Sequence, residues 1–413
     1  MMRIITLASF VVVVSLLLAT TINANSQFEE NPDDKRNISQ IIVARGYAEE
    51  DHHVVTPDGF ILSLQRIPAS RYQPNPAPYA ANGKPAVILQ HGVEDIGTSW
   101  VIQENVYQSL GFILADAGFD VWISNVRGTT YSNSHIKYNP TQKEFWAWSF
   151  DQMAEYDLPT VVDYVLGVTG HETVGYAGHS QGTTMGFIAF TNPELVKKIN
   201  LFVAFAPVVR VTHCTSELLD VMADLDLANI LELLGEKAFL PDTPTMQKLM
   251  PVLCGASPDM CQNFLGLIMG FDLSNINNTR LPVIMAHEPG GTSVQNVVHW
   301  SQCKKHGYRK YSYGPLGNLE KYGQLEPPSY NITEFLAPVI IFYGGHDDLA
   351  DLTDVEWLIP QLGDHLLYQK FMPSYSHIDF VWGENAYQWI YNDAVSFLQK
   401  YAPTSTSQTH VSL

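Results

Sequence analysis

Short apolar, β-branched runs bounded by glycine or polar turns recur along this chain, and between them lie longer stretches in which apolar side chains return every three or four positions. The first pattern belongs to buried strands and the second to amphipathic helices. The runs predict strands over Ala86 to Gln90, Asp120 to Ser124, Thr173 to Ala177, Leu201 to Phe205, Pro338 to Tyr343 and Leu366 to Phe371. Helical spacing covers Val106 to Ala117, Tyr156 to Leu166, Gln181 to Phe190 and Glu384 to Lys400. Strand, helix, strand in repetition predicts an α/β fold with a mostly parallel sheet and helices on both faces.

One interval breaks this rhythm. From Val208 to Pro338 there are about 130 residues without clear alternation, where an ordinary crossover needs about a dozen. The pattern therefore divides the chain into a core over 25–208, an inserted cap or lid region over 209–337, a second part of the core over 338–400 and a polar tail over 401–413. Inside the insertion, Leu218, Val221, Met222, Leu225, Ala228 and Leu231 return at helical steps across 217–235. A second apolar patch runs from Phe264 to Met269.

The amino terminus reads differently. Arg3, an apolar run from Ile4 to Ala19 and the small residue Ala24 predict a secretory signal peptide over 1–24. No second run approaches the length of a membrane span, so the processed chain is expected to lack a transmembrane anchor. Secretion in turn predicts oxidised cysteines. Cys214, Cys254, Cys261 and Cys303 allow three full pairings, of which Cys254 with Cys261 is the expected bridge. Sequons at Asn37, Asn277 and Asn331 are candidate glycosylation sites on the same route. No Cys/His cluster has zinc spacing, so no structural metal is expected.

Composition narrows the partners. Of 413 residues 46% are apolar and 16% charged, enough apolar material for a large core and too little charge for a disordered, solvating chain. The 23 Lys and Arg against 42 Asp and Glu leave a net charge of −19. Such a surface repels nucleic acid and anionic leaflets, so any lipid contact must be apolar.

Gly178-His179-Ser180-Gln181-Gly182 fits GxSxG, between a run that reads as a strand and one that reads as a helix. A serine hydroxyl needs a base within hydrogen-bond reach, itself oriented by a third group. Two downstream loops at carboxyl ends of predicted strands supply them: Gly344-Gly345-His346-Asp347-Asp348 and Tyr375-Ser376-His377-Ile378-Asp379. Asp347, beside the double glycine, is preferred over Asp348, Asp351 and Asp354, and His377 is preferred as the base. His179 reads as structural and Asp379 as support for the His377 loop. The oxyanion of ester cleavage needs two N–H donors, and the backbone groups of Gln181 and of Val93 in Gln90-His91-Gly92-Val93 are the candidates. Because these are main-chain groups, their side chains have no part in the assignment.

From about Ile42 to Tyr391 the chain resembles the acid lipase family of gastric and lysosomal lipases, within the α/β-hydrolases. The resemblance is carried by TPDGFILSLQRIP at 56–68, LQHGVEDIGTSW at 89–100, SNVRGTTYS at 124–132, FWAWSFDQMAEYDLP at 145–159, GHSQGTT at 178–184, GTSVQNVVHWSQ at 291–302, YGGHDDLAD at 343–351 and YSHIDFVWG at 375–383. It implies an α/β-hydrolase fold with a helical cap and a lid over the serine, the stretch 217–235 being lid or cap. Residue by residue it places the nucleophile on Ser180, the acid on Asp347, the base on His377 and the oxyanion donors on Val93 and Gln181. Val93 stands where the family often has Leu, which leaves the N–H in place, while 213–272 matches less well.

The resemblance implies a secreted or lysosomal-type serine lipase that cleaves carboxylic esters of neutral lipids, triacylglycerols or cholesteryl esters, at a lipid interface and without a cofactor. An esterase for short soluble esters and a non-catalytic lipid-binding protein are the alternatives.

Overall fold

In a computed structural model, residues 31–73, 83–216, 237–240 and 273–403 are described, with isolated positions between 247 and 266. The signal-peptide segment 1–24, the amphipathic stretch 217–235 and the Phe264 to Met269 patch lie wholly or mostly outside the described residues. Strands are numbered in chain order: β1 Glu50–Val55, β2 Phe60–Ile67, β3 Ala86–Gln90, β4 Asp120–Ser124, β5 Ser134–His135, β6 Val174–His179, β7 Ile199–Phe205, β8 Ala238–Phe239, β9 Thr292–Ser293, β10 Val339–Gly344 and β11 Leu366–Met372.

Nine of these form one sheet in the order β1-β2-β4-β3-β6-β7-β10-β11, with β5 pairing to β2. From β4 to β11 every neighbouring pair is parallel, and β1 and β2 add an antiparallel edge. All residues of β3, β4 and β6 are buried, as expected of central strands covered on both faces. All six predicted strands are present.

The helices follow the predicted spacing with local departures. Val106 to Ala117 divides into a 3₁₀ turn over Val106–Gln108 and an α-helix over Leu110–Asp116. Ahead of the helix Leu158–Thr169 lies a π-turn over Met153–Asp157, and another, Tyr387–Tyr391, precedes the helix Asn392–Tyr401. Gln181–Ala189 starts one residue after the candidate nucleophile.

The antiparallel edge carries polar residues inside. In β1 the inward positions include Glu50 and His52, both buried. Arg66 of β2 makes two hydrogen bonds to Asp120 of β4, at 2.8 and 2.6 Å, and a third to Glu50 at 2.9 Å. His52 contacts Glu50 at 3.0 Å and Tyr164 at 2.9 Å. The pairing of each charge offsets the desolvation that an isolated buried ion would suffer.

Between β7 and β10 runs the long connection read as an insertion. Its described parts include the β8–β9 ribbon and helices Leu281–His287, Val294–His306 and Gly314–Tyr322. Ser293 caps the helix Val294–His306 by accepting from Asn296 N–H, and its hydroxyl donates to the Trp148 carbonyl at 2.6 Å. Asn296 accepts from Phe150 N–H at 2.8 Å. Thus GTSVQN and FWAWSF, distant in sequence, lock together. Cys254 and Cys261 form the expected disulfide, with Cα atoms 5.3 Å apart. Cys303 is a buried thiol that burial pushes up to about 12.

Candidate active site

The turn after β6 explains the GxSxG pattern in atoms. Ser180 has φ 54° and ψ −122°, a left-handed backbone conformation that a non-glycine residue adopts only under constraint. The constraint comes from both sides. Ser180 N–H donates to the Phe205 carbonyl of β7, and the Ser180 carbonyl accepts from Thr183 N–H at 2.8 Å and from the Thr183 hydroxyl at 2.6 Å. The glycines clear the space. A Cβ on Gly182 would lie 2.7 Å from the Gln90 carbonyl oxygen, and one on Gly178 would lie 2.7 Å from Gly182 backbone carbon.

The loop after β3 closes against this turn. A Cβ on Gly92 would come within 2.9 Å of Ser180 Cβ. His91 fixes the loop: its Nδ1–H donates to the Gly92 carbonyl at 2.8 Å, and its Nε2 accepts from Val126 N–H at 3.2 Å. Burial lowers the His91 pKa, consistent with this neutral form. Gly92 N–H donates to Asp95, whose other oxygen accepts from Ile96 N–H and the Ser99 hydroxyl. Neither the Val93 N–H nor the Gln181 N–H donates to a described residue.

The loops after β10 and β11, which carry the candidate acid and base, pack main chain to main chain. A Cβ on Gly344 would sit 2.2 Å from the Tyr375 carbonyl oxygen, and one on Gly345 would sit 2.4 Å from that of Pro373. His346 N–H donates to the Tyr375 carbonyl at 3.0 Å. This contact brings His377 to Asp347, where Nδ1 lies 3.0 Å from each carboxylate oxygen. Asp347 also accepts from Leu349 N–H at 2.9 Å and Ala350 N–H at 2.7 Å. Burial alone would raise the Asp347 pKa, but the His377 ring and these two donors outweigh it and hold the carboxyl below its usual range. With Nδ1–H committed to Asp347, His377 presents Nε2, which is buried and has no hydrogen-bond partner among the described residues.

Ser180, His377, Val93 and Gly92 line one cavity, whose space counted out to its open mouth is about 830 Å³. Its wall is largely apolar, with Val208, Val211, Phe239, Val297, Trp300 and Leu349.

The rival residues have other occupations. Asp348 accepts from the Thr215 hydroxyl, Asp351 caps the helix Leu352–Gln361 through Thr353 N–H, and Asp354 pairs with Arg210 and His213. His179 donates through Nε2–H to the His377 carbonyl at 2.9 Å, so it braces the His377 loop. Its pKa is lowered to about 4, first by burial and then by the adjacent His377. Asp379 accepts from Ser376 N–H at 2.7 Å and the Ser376 hydroxyl at 3.1 Å, supporting the same loop.

Two features escaped the sequence. The brace from His91 gives no motif beyond a His-Gly pair. The Gln181 side chain, set aside in favour of its backbone, accepts from Asn296 Nδ2 at 2.8 Å and Trp300 Nε1 at 2.9 Å. Asn296 and Trp300 both lie in the segment 291–302, but nothing in the spacing pairs that segment with residue 181. The three sequon asparagines lie at the surface or half-buried, each accepting from a backbone N–H two or three residues on.

Comparison with known proteins fits this construction. A family model described as alpha/beta hydrolase fold matches residues 85–384, and one described as partial alpha/beta-hydrolase lipase region matches 38–104. Human gastric triacylglycerol lipase is 43% identical over 375 residues, covering 90% of this chain and 92% of that protein. Human lysosomal acid lipase/cholesteryl ester hydrolase is 42% identical over 379 residues, with coverage of 90% and 92%. Among solved structures, a soluble variant of monoglyceride lipase from Saccharomyces cerevisiae shares the fold, with a TM-score of 0.53 and 16% identity over 86% of this chain and 96% of that one. With this similarity along nearly the whole described sheet and its loops, the chain belongs to the acid lipase family of the α/β-hydrolases.

Proposed function

We propose that this protein hydrolyses carboxylic esters of neutral lipids through an acyl-enzyme on Ser180. The observation that carries the reading is the meeting, in one apolar cavity, of a serine held at φ 54° with a His377 ring whose other nitrogen is bound to Asp347. His377 Nε2 takes the proton from the Ser180 hydroxyl as its oxygen attacks the acyl carbon. Asp347 fixes the tautomer and stabilises the imidazolium that results. The Val93 and Gln181 N–H groups receive the negative oxygen as it forms. His377 then returns the proton to the departing alcohol, and water repeats the sequence to release the fatty acid. In unliganded enzymes the serine–histidine hydrogen bond is often long and closes in the complex, which accords with an Nε2 that has no described partner here.

The names of the relatives, triacylglycerol lipase and cholesteryl ester hydrolase, and the apolar cavity wall favour long acyl esters. We read 209–337 as a cap over the cavity and 25–208 with 338–400 as the hydrolase core. Among the described residues no helix is long and apolar enough to cross a membrane, and a disulfide and three sequons support a secreted or lysosomal location.

Ser180→Ala is expected to abolish ester hydrolysis and fluorophosphonate labelling while leaving the circular dichroism spectrum and melting temperature in place. Ester hydrolysis retained by a clean preparation of that variant would refute the assignment. Activity on long-chain emulsions above that on short soluble esters separates a lipase from a general esterase.

A further inference from the structure

Next to Val93 in the cavity wall stands Glu94, a residue foreign to its apolar surroundings. It has φ 58°, is 4% exposed, and neither carboxyl oxygen has a hydrogen-bond partner among the described residues. Its main chain is pinned. Gly290 N–H donates to the Glu94 carbonyl at 2.8 Å, and a Cβ on Gly290 would meet the Asp95 carbonyl oxygen at 2.8 Å. Burial raises the Glu94 pKa well above the ordinary value; the Gly291 N–H opposes this without closing a hydrogen bond. The buried carboxyl thus keeps hydrogen-bonding capacity that nothing among the described residues meets.

An unmet buried polar group costs free energy that a ligand hydroxyl can recover. Position says which hydroxyl. Consecutive Cα atoms are about 3.8 Å apart, so Glu94 begins one residue from the N–H that would hold the substrate carbonyl oxygen. Glu94 and Ser180 also line the same cavity, where the alcohol part of a bound ester would lie. We propose that Glu94 is a specificity residue that hydrogen-bonds a hydroxyl on the alcohol side of the substrate, so that the enzyme prefers partially acylated glycerols to esters without such a hydroxyl. This rests on the acyl-enzyme reading for Ser180. A site built around a polar partner rejects substrates that leave that partner unpaired.

The test uses soluble esters, so that a lipid interface has no part. The glycerol monoester of butyric acid and propyl butyrate share the acyl group and a three-carbon alcohol and differ in two hydroxyls. The wild-type ratio of kcat/KM is expected to favour the glycerol ester by at least about tenfold. Glu94→Leu should bring that ratio close to one, whereas Glu94→Gln, which keeps a donor and an acceptor at similar reach, should keep most of it. Fluorophosphonate labelling of Ser180 in each protein reports an intact site. If the leucine variant fails to label, Glu94→Gly, which adopts φ 58° freely and removes the carboxyl, carries the same expectation. A wild-type ratio near one, or an unchanged ratio in a labelling Leu or Gly variant, overturns the proposal and leaves the hydrolase reading standing. Wild-type protein that neither labels nor cleaves either ester overturns both.

Discussion

On the β6 side of the cavity, position is fixed by the main chain: Ser180 at φ 54°, glycines where a Cβ would strike backbone, and a carbonyl of β7 receiving the serine N–H. On the β10–β11 side Gly344 and Gly345 likewise pack against backbone, and side chains then set direction, with Asp347 held by two N–H donors and holding His377 in turn. The Ser180 arm is thus a backbone device, sensitive to any added carbon. The Asp347–His377 arm adds to its backbone packing a polar pair, sensitive to charge and donor direction. A carbon added to the Ser180 turn should unfold the protein, whereas a charge removed from the polar pair should cost activity in a folded one.

The sharpest way to break that contrast is Asp347→Asn. The amide can present a donor to His377 Nδ1 in place of a full negative charge, so kcat should fall by about 10⁴-fold with little change in melting temperature. A loss of only tenfold would remove Asp347 from the acid's role, and unfolding would deny that the polar pair can lose its charge in a folded protein. Next, Gly182→Val pushes carbon against the Gln90 and His91 carbonyl oxygens, which are backbone and cannot swing away. It should destabilise the protein by about 4 kcal/mol, read from the denaturant midpoint. A stable but inactive variant would show that the turn tolerates what its geometry forbids.

His179 joins the two arms, and pH probes the joint. Its folded-state pKa of about 4 lies below the ordinary histidine value of 6.5. The unfolded chain therefore binds a proton first as pH falls. The stabilisation is complete above pH 6.5 and is lost progressively towards pH 4, by about 3 kcal/mol for this ring alone. His91, His287 and His299 shift in the same direction through burial. Urea unfolding between pH 7 and pH 4 should show this decline, and His179→Gln should flatten part of it; identical slopes would show that His179 is not the joint. The smallest effect is expected at Asp351→Ala, which removes a helix cap worth about 1 kcal/mol and should leave turnover as it was. Any collapse of activity there would reopen the choice between Asp351 and Asp347.

Of the strands that carry the site, β3, β6 and β10 were legible because they are buried nearly throughout, and such strands read as continuous apolar runs, whereas β11 is an edge strand with only Met372 buried. The chain order of Ser180, Asp347 and His377 followed from where those runs end. β1 was not legible for a physical reason: its buried positions hold Glu50 and His52, satisfied by Arg66 and Tyr164 from other elements. A polar interior removes the apolar alternation by which a half-buried strand is recognised. The π-turns over Met153–Asp157 and Tyr387–Tyr391 were likewise hidden, since one extra residue in a turn hardly disturbs helical spacing. Glu94 was passed over because sequence gives no sign that a carboxylate in a glycine-rich loop is buried.

The Gln181 amide oxygen, grasped by both Asn296 and Trp300, makes the residue after the serine a hinge pin between the sheet and the chain that crosses above it. Val297 and Trp300 of the helix Val294–His306 also line the cavity, so the element that grips residue 181 and part of the wall a ligand would touch are one rigid piece. A shift of that helix would therefore change both contacts at once.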